Sequence, residues 1–283
     1  MFGLTKSTVE KVLLYIICTI IIIVVTFPLY WLIITSLKYD IDSYVYPPQF
    51  FPVNITFKNY IDILFLAKEG NLVKYFLNSL IITISTIFLS LLFGSMAAYS
   101  LSKHYLSIMF RRMMLAFVLV IRIFPPITTA IPYYIILSKF RLVDTHIGLI
   151  ISYVSFSLPF TIWLMIGFFQ SLPAEIEKAA TIDGCNFWQR FIKIVIPLSL
   201  PGLAVTAIFG FLYSWNEFML ASILTSENAK TLPVVIAGFI SDKYLFWGKM
   251  TALGSLMTIP IIIFSSFAQR NIVRGLTFGA VKE

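Results

Sequence analysis

The chain has 283 residues, of which 59% are hydrophobic and only 12% charged, with a mean hydropathy of +0.92 and a formal net charge of +8. A soluble domain carries about twice that share of charged residues, so the composition predicts an all-α integral membrane protein whose helices cross ~30 Å of hydrocarbon. The basic residues form neither a patch nor an RNA-binding motif, so we expect no nucleic-acid partner and attribute the positive charge to membrane orientation.

Six segments are long and apolar enough to span a bilayer. The first is too long for the apolar region of a signal peptide, and no small-x-small cleavage site follows it, so we expect it to be retained. Gly94 and Ala98 form a small-xxx-small pair in the second span, which predicts close contact with another helix. Prolines within the spans indicate a bent, packed bundle. The six spans are placed near residues 12–37, 79–102, 113–137, 147–170, 200–224 and 250–269.

The basic residues are unequally divided between the loops on the two sides of the membrane. With the N-terminus inside, the inner segments carry eleven Lys and Arg residues, and the short outer loops carry five once the long first outer loop is set aside. Short cytoplasmic loops are enriched in these residues. We therefore expect a multi-pass membrane protein with both termini in the cytoplasm.

Two charged residues, Arg122 and Glu217, fall inside predicted spans, and Asn216 precedes the second of them. An ionisable residue at membrane depth is costly and is by default a functional candidate. A rise of 1.5 Å per residue places the two charges ~10 Å apart in depth, so we do not expect a direct pair. We expect carbonyl groups freed at the Pro125-Pro126 kink to satisfy Arg122, and Glu217 to lie near the outer interface.

Nothing in the sequence points to catalysis or to a cofactor bound by this chain. Two cysteines cannot form a disulfide framework or a zinc site, and the two histidines belong to no metal-binding motif. The sequence has no GxxxxGK[ST] loop that would cradle phosphates, and no nucleophile–base set. We therefore predict neither a catalytic nor a metal site.

Residues 171–198 form a polar interruption between two spans. Pro173 suits the first turn of a helix, and Glu175 and Glu177 would lie near its N-terminus, where the helix dipole favours negative charge. Gly184 suits the left-handed position at which a helix ends. The pattern predicts one short helix, and a second amphipathic helix that Pro197 stops. The residues predicted to share one face of the first helix are Ile176, Ala179, Ala180 and Asp183.

Two interpretations of this helix remain open on the residues alone. An amphipathic connector at the bilayer surface is the simpler one, but it predicts a wider face of large apolar residues. A narrow alanine-centred face would instead allow the backbone of another protein to approach closely.

The stretch "PAEIEKAATIDGCNFWQRFIKIVIPLSLP" resembles the EAA loop of ATP-binding-cassette importer permeases. Ala179, Ala180, Gly184, Ile194 and Pro197 match that motif, as does Asp183 before the glycine, whereas Lys178 and Ile196 depart from it. The stretches "IPYYIILSKFRLVDTHIGLI", "YSWNEFMLASILT" and "QRNIVRGLTFGAVKE" resemble the shorter permease subunit of carbohydrate importers of the maltose type. The likeness covers nearly the whole chain.

This resemblance implies a single six-span permease domain of the type I (MetI-like) importer fold, with its core at residues 75–270. Besides the lipid bilayer, it implies three kinds of partner: a second related permease, two ATPase subunits that bind ATP-Mg, and an extracytoplasmic sugar-binding protein. Residues 171–198 would be the cytoplasmic coupling loop and 270–283 a cytoplasmic tail.

The resemblance also implies roles for particular residues. The expected ATPase-coupling residues are Glu175, Glu177, Lys178, Ala179, Ala180, Asp183, Gly184, Ile194 and Pro197. The expected ATPase contacts of the tail are Gly279, Ala280, Val281 and Lys282. The expected contacts with the binding protein are Tyr244, Phe246 and Trp247. Two alternatives remain: a permease of the same fold for a non-sugar solute, and a self-powered secondary carrier.

Overall fold

The computed structural model of the chain describes residues 8–65, 72–103, 106–240 and 244–278, with side chains between residues 10 and 267. The described residues are almost entirely helical, as the composition predicts. The chain folds as two compact units, Met1–Leu72 with Ile236–Ile259, and Val73–Val235 with Pro260–Glu283. The helices are α1 (Thr8–Ser36), a 3-10 helix (Asp40–Tyr44), α2 (Lys58–Leu64), α3 (Leu72–Ser102), α4 (Ile108–Ile123), α5 (Pro126–Lys139), α6 (His146–Ser171), α7 (Ala174–Ile182), α8 (Phe187–Arg190), a π-helix (Phe191–Val195), α9 (Ile196–Leu198), α10 (Leu200–Trp215), α11 (Met219–Leu224), α12 (Leu232–Ala237) and α13 (Trp247–Phe278).

Four helices in the described residues are long and apolar enough to cross a membrane, and two bent helix pairs bring the number to six if each pair is one span. The four are α1, α3, α6 and the first part of α13. They coincide with four of the six predicted spans, and α3 begins seven residues earlier than expected. The multi-pass prediction is therefore confirmed at the level of the helices.

The predicted span at 113–137 is not one helix. α4 ends at Ile123, α5 begins at Pro126, and the two axes meet at 97°. Proline lacks an N–H group and disfavours helical backbone in the residue before it. Because Pro125 and Pro126 are consecutive, Phe124 and Pro125 take extended backbone, and the helix breaks rather than kinks.

The second bent helix pair differs from the prediction that Pro197 ends a helix. Pro197 lies inside α9, so it does not stop the helix, and the π-helix Phe191–Val195 precedes it. A proline in a helix leaves one carbonyl without its usual donor, and a π-turn is one way to accommodate the change in register. The chain instead bends by 75° at Ser199, between Phe187–Leu198 and α10.

In the first unit, no residue in the most apolar stretch of α1 is buried within the chain. The segment after α1 is held by Asn59, whose side-chain amide donates to the backbone carbonyls of Ser36 and Lys38 at 2.9 and 2.7 Å. A Cβ atom at Gly248 would lie 2.4 Å from that amide nitrogen, so only glycine fits beside Asn59.

The second unit packs α3, α4, α6 and α10 around a buried core. A Cβ atom at Gly94 would lie 2.5 Å from Cγ2 of Thr161, and Ala98 is fully buried. The close helix contact predicted for this small-residue pair is therefore confirmed, and it joins α3 to α6. At one end of this packing lies a cluster of buried side chains that includes Tyr99, Met165, Phe169, Phe191 and Val195.

The loop between α5 and α6 carries a carboxylate that organises another loop. Asp144 accepts hydrogen bonds from the four backbone N–H groups of residues 226–229, at 2.9–3.2 Å. Burial by itself would raise the pKa of the Asp144 carboxyl, but these N–H donors outweigh burial and hold the pKa well below its usual range.

We expect Asp144→Asn to lower the free energy of unfolding at neutral pH by about 1–3 kcal/mol, because the charged acceptor is lost. Asparagine tolerates the positive φ of 58° at this position, so backbone strain does not contribute. The pKa of the Asp144 carboxyl is lower in the folded protein than in the unfolded chain, so the ionised group contributes its full stabilisation above the unfolded-state pKa of about 4. This stabilisation is lost as the pH falls from there through the folded-state pKa. In thermal unfolding experiments in detergent, the unfolding temperature of the variant should lie below that of wild type by a constant amount at pH 5–8. This difference should narrow only below about pH 4. An equal loss in Lys139→Ala, an exposed neighbour, would contradict this account.

Candidate functional site

The polar segment 171–198 forms α7, α8, the π-helix and α9. α7 begins after Pro173, which has extended backbone, and Glu175 and Glu177 occupy its first turn. Its C-terminus is a Schellman motif: Gly184 has φ +81°, its N–H donates to Thr181 O at 3.1 Å, and the N–H of Cys185 donates to Ala180 O at 2.9 Å. The predicted helix end at Gly184 is thus confirmed.

α8 starts two residues later with reciprocal capping. The side chain of Asn186 accepts from the N–H of Gln189, and the side chain of Gln189 accepts from the N–H of Asn186, both at 2.9 Å. Arg190 then donates to the Thr181 hydroxyl at 2.5 Å, which ties α8 to α7. α7 and α8 are therefore held in a defined arrangement, and the segment is not an irregular loop.

α7 has an exposed face and a buried face, and they differ from the predicted pattern. Ala180 and Glu177 are only 5% and 9% exposed on this subunit, whereas Ala179 is exposed. The two alanines therefore do not form one docking face: Ala180 packs inside the chain, and Ala179 faces outward. The remaining exposed positions on α7 and its end are Ala174, Glu175, Ile176, Lys178, Thr181, Ile182, Asp183 and Gly184.

Two predicted coupling residues lie beyond α7. Ile194 is half-buried in the π-helix, and Pro197 is exposed in α9. Beside them runs a groove of about 600 Å³, whose walls include Leu172, Ile176 and Leu198. Its lining is apolar apart from two serine residues, so it offers no charged group that would hold a nucleotide phosphate or a metal ion.

Glu177 is held by two residues that the sequence did not single out. The hydroxyl of Tyr99 donates to Glu177 Oε2 at 2.8 Å, and Lys103 Nζ lies 2.5 Å from Oε1. Tyr99 lies in the last turn of α3, and Lys103, four residues later, directly follows the end of that helix at Ser102. That spacing was visible in the sequence, but nothing in the sequence linked it to a residue 78 positions away.

The three polar residues that the sequence places inside spans have different surroundings. Arg122 is exposed on this subunit, with its guanidinium carbon 4.8 Å from the centroid of the Phe160 ring. An aromatic ring, rather than the carbonyls expected at the kink, is therefore the neighbour of this cation. Asn216 is exposed and donates to Leu212 O at 2.8 Å.

Glu217 is buried and occupies the break between α10 and α11. Its carboxylate accepts from the backbone N–H groups of Leu220 and Ala221 at 2.9 and 3.2 Å. These are among the first N–H groups of α11, which have no partner within the helix. Glu217 therefore caps α11.

Tyr244, Phe246 and Trp247 lie together before and at the start of α13, and each is exposed on this subunit. Lys249 Nζ lies 5.4 Å from the centroid of the Phe246 ring. The hydroxyl of Tyr44 fixes the backbone between these aromatic residues by donating to Leu245 O at 2.6 Å. The tail residues Gly279, Ala280, Val281 and Lys282 lie outside the described residues.

Within the described ranges, no three His, Cys, Asp or Glu side chains come together as ligands for a metal ion. The features that stand out are the exposed face of α7, the buried contacts of Glu177 and the exposed aromatic group at the start of α13. The first and the last of these lie on the surface, where another protein could contact them.

Comparisons with known proteins give the family of the chain. Residues 63–278 match the family described as "Binding-protein-dependent transport system inner membrane component". The trehalose transport system permease protein SugB of Mycobacterium tuberculosis is 38% identical over 259 residues, covering 90% of this chain and 92% of that protein. The trehalose/maltose transport system permease protein MalG of Thermococcus litoralis is 31% identical over 279 residues, covering 98% and 99%.

The fold is also found in a solved structure. A chain of a bacterial ABC transporter involved in the import of the acidic polysaccharide alginate superimposes with a TM-score of 0.76 at 23% identity, covering 96% of this chain and 99% of that chain. The predicted type I importer permease fold is therefore confirmed.

Proposed function

The chain belongs to the family of binding-protein-dependent transport system inner membrane components, and from this we propose that it is the transmembrane permease subunit of an ATP-binding-cassette importer for a sugar or oligosaccharide. Trehalose and trehalose/maltose permeases among its relatives support sugar as the class of solute. The observation that carries the proposal is the compact, charged helix α7, with an exposed face, on a chain that is otherwise mostly apolar.

The subunit would form half of the translocation path with a second related permease. Two ATPase subunits would bind and hydrolyse ATP-Mg, and an extracytoplasmic binding protein would deliver the solute. We place the complex in the cell (inner) membrane of a bacterium or archaeon with both termini in the cytoplasm, on the basis of the distribution of lysine and arginine. This orientation puts 171–198 on the ATPase side.

We assign docking on the ATPase to the exposed face of α7. Glu175, Lys178, Ala179 and Asp183 offer charged groups around one small side chain, and a helix backbone can be approached closely at alanine. Gly184 shapes the end of this surface through its left-handed backbone. Ala180, Glu177, Ile194 and Pro197 would act from behind it, by fixing the position of α7.

Lys178 occupies a position at which the permease family has glutamate, and we expect Lys178→Glu to retain assembly and transport with the cognate ATPase. Lysine can turn away from an interface along its flexible stem, and exposed ion pairs contribute only ~0–1 kcal/mol. Co-purification with the ATPase and ATP-driven uptake should both remain within about twofold of wild type. A severe loss of ATPase association that is restored by reversing an acidic residue on the ATPase would instead establish a swapped ion pair.

The tail, residues 270–283, is proposed as a second contact with the ATPase subunits through Gly279, Ala280, Val281 and Lys282. This assignment rests on the resemblance of the tail sequence to that of carbohydrate permeases. Its alternative is a frayed basic end, which is common at termini.

We propose that Tyr244, Phe246 and Trp247 contact the binding protein. Exposed aromatic side chains supply large contact areas with few rotatable bonds. Trp247→Ala should reduce stimulation of ATP hydrolysis by the solute-loaded binding protein about tenfold, while leaving the basal rate of hydrolysis unchanged. Ile41→Ala, which truncates another exposed side chain of the same unit, serves as the control. Full stimulation in Trp247→Ala would refute the contact.

Arg122 and Asn216 are proposed to face the water-filled path or the second permease. Both are exposed on this subunit, and a charged side chain at membrane depth avoids lipid. Glu217, buried against the start of α11, would have a structural role.

The solute is identified by a binding screen on the cognate binding protein. Isothermal titration against mono-, di- and oligosaccharides, with amino acids, polyamines and phosphonates as the non-sugar arm, should give heat of binding only with a carbohydrate. Binding of a non-sugar solute alone would overturn the assignment of sugar and leave the importer assignment intact.

A further inference from the structure

The buried carboxylate of Glu177 is unusual among the charged side chains of α7. Glu175, Lys178 and Asp183 are exposed on this subunit, as a docking surface requires, whereas Glu177 is 9% exposed. An acid that served only to meet an ATPase would have no reason to be covered by its own chain. Its partners within the subunit therefore indicate its role.

Those partners lie at the end of α3. The Tyr99 hydroxyl and Lys103 Nζ meet the two carboxylate oxygens of Glu177 at 2.8 and 2.5 Å. Lys103 Nζ also lies 3.4 Å from the backbone carbonyl of Phe169, near the end of α6. One carboxylate thus joins α7 to α3, and the lysine that neutralises it reaches α6.

The Tyr99 ring is enclosed by the neighbouring segments. It is fully buried, and its centroid lies 5.7 Å from Phe169, 5.4 Å from Phe187 and 5.2 Å from Phe191. These rings belong to α6, α8 and the π-helix. The hydroxyl that binds Glu177 is therefore fixed by side chains from three other segments.

The covalent connections of α7 do not lead directly to α3. Leu172 and Pro173 join α7 to α6, and the connection to α8 passes through Gly184 in a left-handed conformation. Neither connection includes a residue of α3, so neither fixes α7 against that helix. Opening the Glu177 contacts, in contrast, would leave a buried charge without a partner, which is strongly unfavourable.

We propose that Glu177 is a positioning residue that makes α7 and the end of α3 move as one body, so that a displacement of α7 by the ATPase passes directly into the α3 span. This inference rests on the proposed function. Glu177 then acts in coupling through Tyr99 and Lys103, and not as a contact with the ATPase. Without these contacts, α7 can follow the ATPase while α3 stays in place.

The test measures the number of solute molecules imported per ATP hydrolysed, in proteoliposomes that contain the complete importer. The variants are Glu177→Gln, which removes the charge, Tyr99→Phe, which removes only the hydroxyl, and their combination. We expect the ratio to fall about tenfold in Glu177→Gln and less in Tyr99→Phe, with ATP hydrolysis retained. The double variant should lose little more than Glu177→Gln, because both changes break the same connection.

The control is Asp62→Asn, which breaks an ion pair with Lys249 in the other unit of the chain and should leave the ratio unchanged. A ratio in Glu177→Gln and Tyr99→Phe equal to that of wild type overturns the inference. If the assembled wild-type complex imports no solute in response to ATP, the proposed function is refuted instead. The two failures are therefore distinct.

A covalent replacement tests the same idea when a single variant fails to accumulate. In a chain lacking Cys18 and Cys185, Lys103→Cys and Glu177→Cys together should give a low ratio, and a short bis-maleimide that joins the two thiols should restore it. A purely structural loss would not be repaired by a crosslink added after assembly. A low ratio that persists in the crosslinked complex, or a normal ratio before crosslinking, contradicts the proposal.

Discussion

Replacing Ala179 by tryptophan is expected to abolish ATP-driven uptake while the subunit remains folded in the membrane. Ala179 is exposed on this subunit, so the larger side chain creates no clash within the chain. It would instead hold the backbone of α7 several ångströms away from the ATPase surface and prevent docking. The measurements are uptake, subunit abundance and co-purification with the ATPase, of which only abundance should stay normal.

The adjacent alanine provides a contrast. Ala180 is 5% exposed, so Ala180→Trp should destabilise the subunit itself and reduce its abundance, because overpacking of a closely packed core is destabilising. Val12→Trp, at an exposed position on α1, controls for the added ring and should leave uptake unchanged. Normal ATPase association in Ala179→Trp would show that this face of α7 does not dock.

Two substitutions at Gly184 distinguish the effect of backbone conformation from the effect of side-chain size. A Cβ atom there would meet nothing within 4 Å, yet φ is +81°, which asparagine tolerates better than other side chains. Gly184→Asn should therefore retain much of the uptake, and Gly184→Trp should abolish it. Unchanged uptake in Gly184→Trp would count against docking at this end of α7.

The second large effect is expected for Glu217→Ala, which should lower the free energy of unfolding by about 2–4 kcal/mol. Two N–H groups at the start of α11 would lose a buried charged acceptor, and the alanine side chain has no acceptor to replace it. Glu217→Gln keeps an acceptor oxygen and should lose less. Thermal unfolding of the purified subunit measures both.

Asn216→Ala is the matched control for stability, because Asn216 is adjacent but exposed and donates only to a carbonyl of its own helix. Its change in unfolding free energy should be under about 0.5 kcal/mol. A loss in Asn216→Ala as large as that in Glu217→Ala would show that the break after α10, and not the capping carboxylate, determines stability here.

Most of the helical organisation could be predicted from the lengths of the apolar runs and the positions of the prolines. Runs of apolar residues located four long spans because the bilayer sets the required length directly. The break at Phe124 was visible only as a kink, because two consecutive prolines permit either a bent helix or a full interruption, and the packing around them decides. In the same way, Pro197 was expected to stop a helix, and the π-turn before it allows the helix to continue to Leu198.

The two ends of α7 could be predicted from the sequence, but which of its faces is buried and which is exposed could not. Pro173 and Gly184 mark the ends of α7 through local backbone chemistry, which the sequence contains. The periodicity of 3.6 residues grouped Ala179 with Ala180, because it cannot distinguish a face that packs inside the chain from one that meets another protein: both favour small and apolar residues. The inward orientation of Glu177 depends on Tyr99, a partner far away in the sequence.

The most direct test of the proposed function is uptake of labelled sugar into proteoliposomes that contain the complete importer, with ATP-Mg inside and the loaded binding protein outside. Uptake should require ATP, the binding protein and an unmodified α7, and it should be unaffected by collapsing proton and sodium gradients. Uptake by this chain alone, driven by an ion gradient and insensitive to ATP, would contradict the account and identify a secondary carrier instead.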